Sequence, residues 1–382
     1  MDHLTFLVAG AGLVAFGLAI CGAVYACAAT WATRRFLRRR TQTPTIHRLI
    51  SVLKPLHGEE PELYENLASF CAQDYAGDVQ IILGVQHPDD PALDVADRLR
   101  RDNPDHDIVV VRNAATHGPN RKIGNLVNMM DSARGDVIVI SDSDTRVPPD
   151  GLGRIMAALE QPQIGLIHCL YRGRPAGNIW SRLAAMDVDM RFTPSVIVGD
   201  ALGANPCLGP TMALRRETLE RVGGLRQLTD VLADDFELGR AVRAAGYRIA
   251  SPPLLIDHVF PERTAREMLV HELRWARTIR LVDPAGYVGS GMSHILPLAL
   301  IGVARSGFSG WSLAALAALA GLRLTQALVL SRLMSSDLSL LWLVPLRDLL
   351  SFGVFLAGLF GDHVVWRGNR LRLARGGSII AA

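Results

Sequence analysis

Val137-Ile-Val-Ile-Ser-Asp142-Ser-Asp144 is the stretch on which the reading of this chain turns. Its apolar, β-branched start makes a strand buried on both faces, the habit of a parallel sheet covered by helices. The strand then runs out into two carboxylates at i and i+2. In open α/β sheets ligands gather at the carboxyl ends of strands, so such a turn is where chemistry is sought. Carboxylates so spaced can offer oxygens to Mg²⁺ or Mn²⁺, ions that keep positions open for phosphate oxygens. The plainer reading is a polar loop in which an aspartate caps a turn. The buried strand ahead of it favours the metal.

Outward from this point the pattern repeats. Residues 49–53, 79–85 and 108–111 read as further buried strands. Residues 61–72, 93–101 and 123–133 carry helical spacing, the first opening on a proline suited to a first turn. The alternation predicts an α/β domain, Rossmann-like, around a mostly parallel sheet. Past residue 178 the rhythm loosens, with helix over 178–192, strand over 207–214 and helix over 236–245. Residues 263–282 form a longer amphipathic helix. Its Met268, Leu269, Trp275 and Ile279 oppose Arg266, Arg274, Arg277 and Arg280, a mixture suited to a membrane interface.

Of 382 residues, 49% are apolar, and the excess sits at the two ends. No charge occurs from Leu4 to Thr33, long enough for a helix to cross ~30 Å of hydrocarbon. Arg34, Arg35, Arg38, Arg39 and Arg40 follow at once. The positive-inside rule puts that cluster in the cytoplasm and the N-terminus outside. A signal peptide would carry its positive charges ahead of the apolar run, where only Met-Asp-His stands. Three apolar stretches near the C-terminus, 284–304, 306–332 and 338–361, allow two or three further spans. Three would strand Arg367, Arg370, Arg372 and Arg375 outside; two plus an interfacial segment keep them in. The third stretch also holds Arg347 and Asp348, which should face protein or a polar cavity.

The near balance of 40 basic and 37 acidic residues, net +3, argues against nucleic acid as the main partner. The arginines gather instead beside the membrane segments, where anionic headgroups lie. Five cysteines, scattered singly or within the first apolar run, give neither a disulfide framework nor a zinc site.

Several other polar groups follow strands or open helices. Asp89-Asp90-Pro91 can touch a ribose or base edge, or simply cap the next helix. Asp234-Asp235 is one acid more than a cap needs, and two like charges held close raise one pKa toward that of a general base. His271 and Trp275 lie one helical turn apart with Arg274 beside them, a cation for phosphate and a flat face for sugar or lipid, or else an interfacial helix with snorkelling arginines. Asn120-Arg121-Lys122 opens a helix with two cations suited to a diphosphate. Lys54 follows the first strand and stands equally open.

Their order resembles the inverting GT-A glycosyltransferases across residues 47–280. Leu53-Lys-Pro-Leu56, Gly84-Val-Gln86, Asp89-Asp-Pro91, Asp142-Ser-Asp144, Asp234-Asp235, Arg274-Trp275 and the tail Trp366-Arg-Gly-Asn-Arg-Leu-Arg372 resemble the ceramide glucosyltransferase family. Lys54-Pro-Leu-His-Gly58, Asn120-Arg-Lys122, Cys169-Leu-Tyr-Arg-Gly-Arg-Pro175 and His271-Glu-Leu-Arg-Trp-Ala-Arg277 look most like its bacterial branch. That branch includes the hopanoid biosynthesis-associated enzymes, which place N-acetylglucosamine on bacteriohopanetetrol. His271 stands where the ceramide enzymes carry Gln or Arg.

The resemblance implies a metal-dependent, inverting transfer from a UDP-sugar to a lipid hydroxyl at the bacterial inner membrane. Asp235 would be the base, Asp142 and Asp144 would hold Mg²⁺ or Mn²⁺, and Asp90 would contact uridine. Lys54, Arg121, Lys122, Asp142, Arg274 and Trp275 would bind donor, with His271 and Trp275 closing on the acceptor. The expected layout is an anchor over 1–33, a cytosolic GT-A domain over 34–285, and membrane segments with a basic tail over 286–382. The acceptor would be a hopanoid or, with UDP-glucose, the sphingolipid ceramide. A processive polysaccharide synthase would need more membrane segments than these. A non-catalytic nucleotide-sugar-binding membrane protein would have no use for Asp235 and Asp144.

Overall fold

The structure, a computed structural model, describes residues 3–366 and 369–380; Arg367 and Gly368 of the basic tail lie outside the described residues. In chain order, α1 (His3–Leu37) leads to β1 (Ile50–Pro55), α2 (Leu63–Ala68), β2 (Val79–Val85), α3 (Ala92–Asp102), β3 (Asp107–Arg112) and α4 (Arg121–Met130). Then come β4 (Val137–Ser141), β5 (Thr145–Arg146), α5 (Gly151–Leu159), β6 (Ile164–His168) and β7 (Leu170–Pro175). Helix α6 (Ile179–Asp187) continues through a wide π-turn, Val188–Phe192, into α7 (Thr193–Ala201). β8 (Thr211–Arg215), α8 (Arg216–Arg221), α9 (Asp234–Ala244), β9 (Arg248–Ala250) and β10 (Leu255–Phe260) complete the body. The last third holds α10 (Ala265–Val282), α11 (Pro284–Gly289), α12 (Ile295–Arg305), α13 (Gly310–Met334), α14 (Val344–Gly358), β11 (His363–Trp366), β12 (Asn369–Leu373) and β13 (Ile379–Ile380).

The main sheet runs β3-β2-β1-β4-β8-β6-β9. β3, β2, β1 and β4 are parallel, as the buried runs required, and β8 is antiparallel to both neighbours. From β1 the chain winds outward to β2 and β3, then returns to place β4 on the other side of β1. That reversal opens a crevice at the carboxyl ends of β1 and β4, where a doubly wound sheet takes its ligand. A small second sheet, β5-β10-β7, closes the crevice from one side. Neither it nor β6 was foreseen from sequence; in the small sheet 170–175 and 255–260 mix charges with apolar residues, which hides their period. The helix expected over 61–72 is shorter, and the strand expected over 207–214 begins at Thr211.

Helices α1 (from Gly12), α13 and the stretch Leu338–Gly358 are long and apolar enough to cross a membrane, as is the bent pair Pro284–Ser293 and Ile295–Arg305 taken together. α1, α12 and α13 pack as one group through Phe16, Ala19, Ala23, Ile295, Ala299 and Leu319. Gly22 lets α1 touch the Met292 backbone, where any Cβ would collide. The stretch expected as a basic tail is folded: β11, β12 and β13 form an antiparallel sheet. Its Ile379 N–H donates to Asp230 O (2.8 Å), and Leu232 N–H donates to Gly377 O (2.9 Å). Residues 369–380 therefore sit on the same body as the sheet, and the chain between Val282 and His363 leaves and returns to one side.

Ion pairs join this last third to the body. Arg347 is buried, and its guanidinium meets both Glu272 oxygens (2.8 Å each) and Asp187 Oδ1 (3.3 Å). Arg347→Ala would leave Glu272 buried without its cation, a loss of about 3–5 kcal/mol. Thermal unfolding in detergent should show it as a clear drop in midpoint; an unchanged midpoint would mean the pair holds nothing together.

Candidate active site

The crevice is built around the Asp142–Asp144 loop. Asp142 N–H donates to Pro210 O (2.9 Å), and Val259 N–H donates to Asp144 O (2.8 Å), so β8 and β10 grip the loop from both sides. Beneath it lies Lys54 with no exposed surface. Its ammonium donates to Asp142 O (2.6 Å), Thr145 O (3.0 Å) and Thr145 Oγ1 (3.2 Å), and sits over the Phe70 ring. Lys54 was expected to touch the donor. The structure makes it a post under the acidic loop, because β1 ends one layer below the crevice floor.

Lys122 is the cation that does face the carboxylates. Asn120 caps α4 by accepting from Ile123 N–H (3.1 Å), while its amide donates to Val231 O (2.7 Å). The first turn of α4 is thereby pinned to the approach to α9. Lys122 Nζ then lies 2.6 Å from Asp142 Oδ1 and 3.8 Å from Asp234 Oδ2. Burial opposes its charge, but Asp142, Asp234 and Asp235 outweigh that and hold its pKa above the usual lysine value. Arg121, its neighbour, is exposed at the start of α4.

Asp235 begins α9 half-buried, its Oδ1 accepting from Phe236 N–H (2.7 Å). Burial raises its pKa to about 6; Asp234 adds to the rise, and Lys122 and the Phe236 N–H restrain it. Gly209 packs against this carboxyl, where an added Cβ would stand 3.2 Å from Oδ2. Tyr171 shows that the acids share one space. Burial first, then Asp235, Asp144 and Asp142, push its phenol well above the usual value, with Arg274 opposing.

Asp144 has a different neighbour. Its Oδ1 lies 3.6 Å from His258 Nδ1, and both atoms are buried with no hydrogen-bond partner. Two facing, unsatisfied ligand atoms at that spacing suit a cation between them. No three His, Cys, Asp or Glu side chains among the described residues close into a ready-made cage, so remaining positions would fall to donor oxygens or water. His258 was not singled out from sequence, since its strand was not recognised.

His258 also leads to the aromatic wall. Its ring is 6.3 Å from Trp275, and Trp275 is 4.6 Å from His271 and 5.8 Å from Phe192. His271 Nδ1 meets Glu262 Oε1 at 2.5 Å; Glu262 is buried and its other oxygen has no partner. Burial lowers the His271 pKa against the pull of Glu262, so a neutral ring with a fixed Nδ1–H fits the site. Arg274 stands in the same turn and feels these groups. Asp90 sits apart, at the end of β2. Its Oδ1 accepts from Gly58 N–H (2.8 Å) and Ala92 N–H (3.0 Å), and its Oδ2 lies 3.4 Å from His57 Nδ1. It therefore caps α3 as well as facing the loop after β1. A cavity of about 790 Å³ lies alongside, between Gly58, Pro91, Asp94, Asn178 and Arg263. It flanks the acidic centre without including it.

Comparison with known proteins follows this geometry. The profile of glycosyl transferase family 21 matches residues 14–379, nearly the whole chain. The chain belongs to that family. It is 25% identical over 354 residues to ceramide glucosyltransferase 3 of Caenorhabditis elegans, covering 87% of this chain and 74% of the relative. It is 28% identical over 228 residues to the β-monoglucosyldiacylglycerol synthase of Synechocystis, covering 57% and 45%. Among solved structures, the Pyrobaculum calidifontis mannosyltransferase in complex with GDP-mannose and Mn²⁺ superposes with a TM-score of 0.52 at 20% identity, over 92% of this chain and 99% of that one. The GT-A fold and the ceramide glucosyltransferase-like character expected from sequence both hold, and the protein is a glycosyltransferase.

Gly209→Ala tests how finely the family 21 site holds its acid. The backbone at Gly209 needs no left-handed conformation, so the variant should fold. A methyl against Asp235 should displace the carboxyl and lower kcat by on the order of 10²-fold. Unchanged kcat would show the position of Asp235 to be irrelevant.

Proposed function

We propose that this protein moves a sugar, with inversion, from a UDP-sugar to a hydroxyl of a membrane lipid. The observation that carries the reading is the half-buried Asp235, its pKa raised to about 6 at the edge of a cleft where Lys122 pairs with Asp142 and His258 faces Asp144. At neutral pH such a carboxyl is ionised yet basic enough to take a proton from an attacking alcohol. Lys122, already on Asp142, and Arg274 would carry the charge of the diphosphate. Asp142 and Asp144, with His258, would hold Mg²⁺ or Mn²⁺. Bound there, the ion would supply Lewis-acid stabilisation of the leaving diphosphate. Asp90 would contact the uridine, and Trp275 with His271 would close on the acceptor.

The lipid acceptor rests on the apolar helices at both ends and on the lipid-glycosylating relatives. In this reading α1, α12 and α13 enter the bacterial inner membrane, and the catalytic body lies on the cytoplasmic side, where the exposed Arg34–Arg40 cluster meets it. The bacterial-branch stretches favour transfer of N-acetylglucosamine to bacteriohopanetetrol. A second reading, glucose from UDP-glucose to ceramide, is favoured by the similarity to the ceramide glucosyltransferase across 87% of the chain. Purified protein offered each donor with each lipid separates them: product from bacteriohopanetetrol alone supports the first, from ceramide alone the second.

Asp235→Asn should lower kcat by about 10²–10⁴-fold while calorimetry still detects UDP binding; near-normal turnover would refute the base assignment. In the unaltered enzyme kcat should fall on the acid side with a midpoint about 6, since protonation removes the base form. His258→Ala should raise the Mn²⁺ concentration needed for half-maximal rate without abolishing UDP binding at saturating metal.

A further inference from the structure

The apolar stretch Leu338–Gly358 has the length and composition of a membrane span, yet both its ends are bonded to the catalytic body. Before it, Arg172 of β7 donates to Met334 O (3.1 Å), and Ser336 hydroxyl meets Asp189 of the π-turn. After it, Arg280 Nε donates to Gly358 O (2.8 Å), Arg277 Nη1 donates to His363 O (2.6 Å), and Arg277 Nε reaches Phe360 O (3.2 Å). The middle is held by Arg347 on Glu272 and by Ser351 Oγ on Asp187 Oδ1 (2.7 Å).

These contacts also fix direction. Glu272 meets Arg347 and Arg280 meets Gly358, so α14 runs parallel to α10, side by side. α10 carries His271, Arg274 and Trp275 to the acidic cleft, and so cannot lie deeper than the boundary between water and lipid. Where α14 passes α13, Asp348 takes a bidentate pair from Arg323 (2.8 and 2.7 Å), which hides both charges from lipid.

The opposite side of the stretch is apolar and uncovered. Leu338 (41%), Trp342 (73%), Leu346 (47%), Leu349 (48%), Leu356 (43%) and Phe360 (71%) are exposed. Their spacing of three, four and seven draws one helical stripe. α12 and α13 also expose apolar residues, Leu300, Ile301, Leu313 and Leu324, and the bilayer that receives those helices would cover the stripe as well.

We propose that α14 does not cross the membrane but lies flat in the surface facing the catalytic body, its Trp342–Phe360 stripe resting in lipid and its charged side under α10. This rests on the membrane reading above. It makes the floor of the acceptor side a lipid-embedded helix, with Glu272–Arg347 coupling it to the helix that carries Trp275.

The chain has only two lysines: Lys54 is buried, and Lys122, its side chain 11% exposed, is paired with Asp142. A single surface lysine is therefore a clean reporter for a membrane-impermeant amine reagent in sealed vesicles, read by peptide mass. Gln161→Lys marks the catalytic body, Asp337→Lys precedes the stretch and Val365→Lys follows it. All three should label from one and the same face. Labelling of Val365→Lys from the face opposite Asp337→Lys would make the stretch a span and overturn the proposal. Labelling of all three from both faces would sink the membrane reading itself, and the proposal with it. In reconstituted vesicles, lipids brominated near the headgroup should quench the unaltered protein more than Trp342→Phe. No difference, or a difference only with bromines at the chain ends, would refute the flat placement.

Discussion

Carboxylates repel, and this fold gathers Asp142, Asp144, Asp234 and Asp235 around one crevice. The arrangement depends on Lys122, which reaches Asp142 and Asp234 together and restrains the rise at Asp235. It links the first half of the sheet, through the Asp142 loop after β4, to the later helix α9. Asn120 supplies the geometry by tying the start of α4 to Val231. Lys54 secures the same loop from below. The site is thus two layers of cation, one fixing the backbone and one answering the side chains.

Much of the fold was legible because buried parallel strands leave little choice of residue. Val137–Ile140 and Val79–Val85 read plainly, and the reversal that places β4 beside β1 puts Asp142 and Asp144 where such sheets bind ligands. β7 and β10 were not legible. They sit at the rim of the body, where Arg172, Arg174 and Asp257 pair across strands, and that charge hides their period. His258 and Glu262 were missed with them. Lys54 was misjudged for a related reason: sequence places a lysine after a strand but cannot say which side of the crevice floor it occupies. Asp142, Lys122 and Asp235 were singled out by chemistry and order, and the fold brings them together, with Trp275 on the wall that begins at His258.

The membrane side shows the limit of counting apolar residues. By hydropathy alone the C-terminal third leaves the number of crossings open. What bears on it is a set of ordinary bonds: Arg277 and Arg280, which sequence reading would spend on lipid headgroups, are used on the carbonyls of Gly358, Phe360 and His363. Those bonds return the chain to the body and leave β11–β13 beside the approach to α9. α10 and α14 are therefore one mechanical unit.

The π-turn at Val188–Phe192 decides where that unit can take a change of length. A π-turn holds an extra residue within an otherwise regular helix. Removing one residue there would let the turn close to ordinary pitch with α6 and α7 still in phase, whereas removing one from regular α6 would turn the chain beyond it by about 100°. In α6 such a loss would pull Asp187 from Arg347, Phe192 from Trp275 and Thr193 from Tyr171 O. The wide turn is therefore where the phase of this long helix survives a lost residue, so chain length is constrained in α6 and α7 rather than in the turn between them.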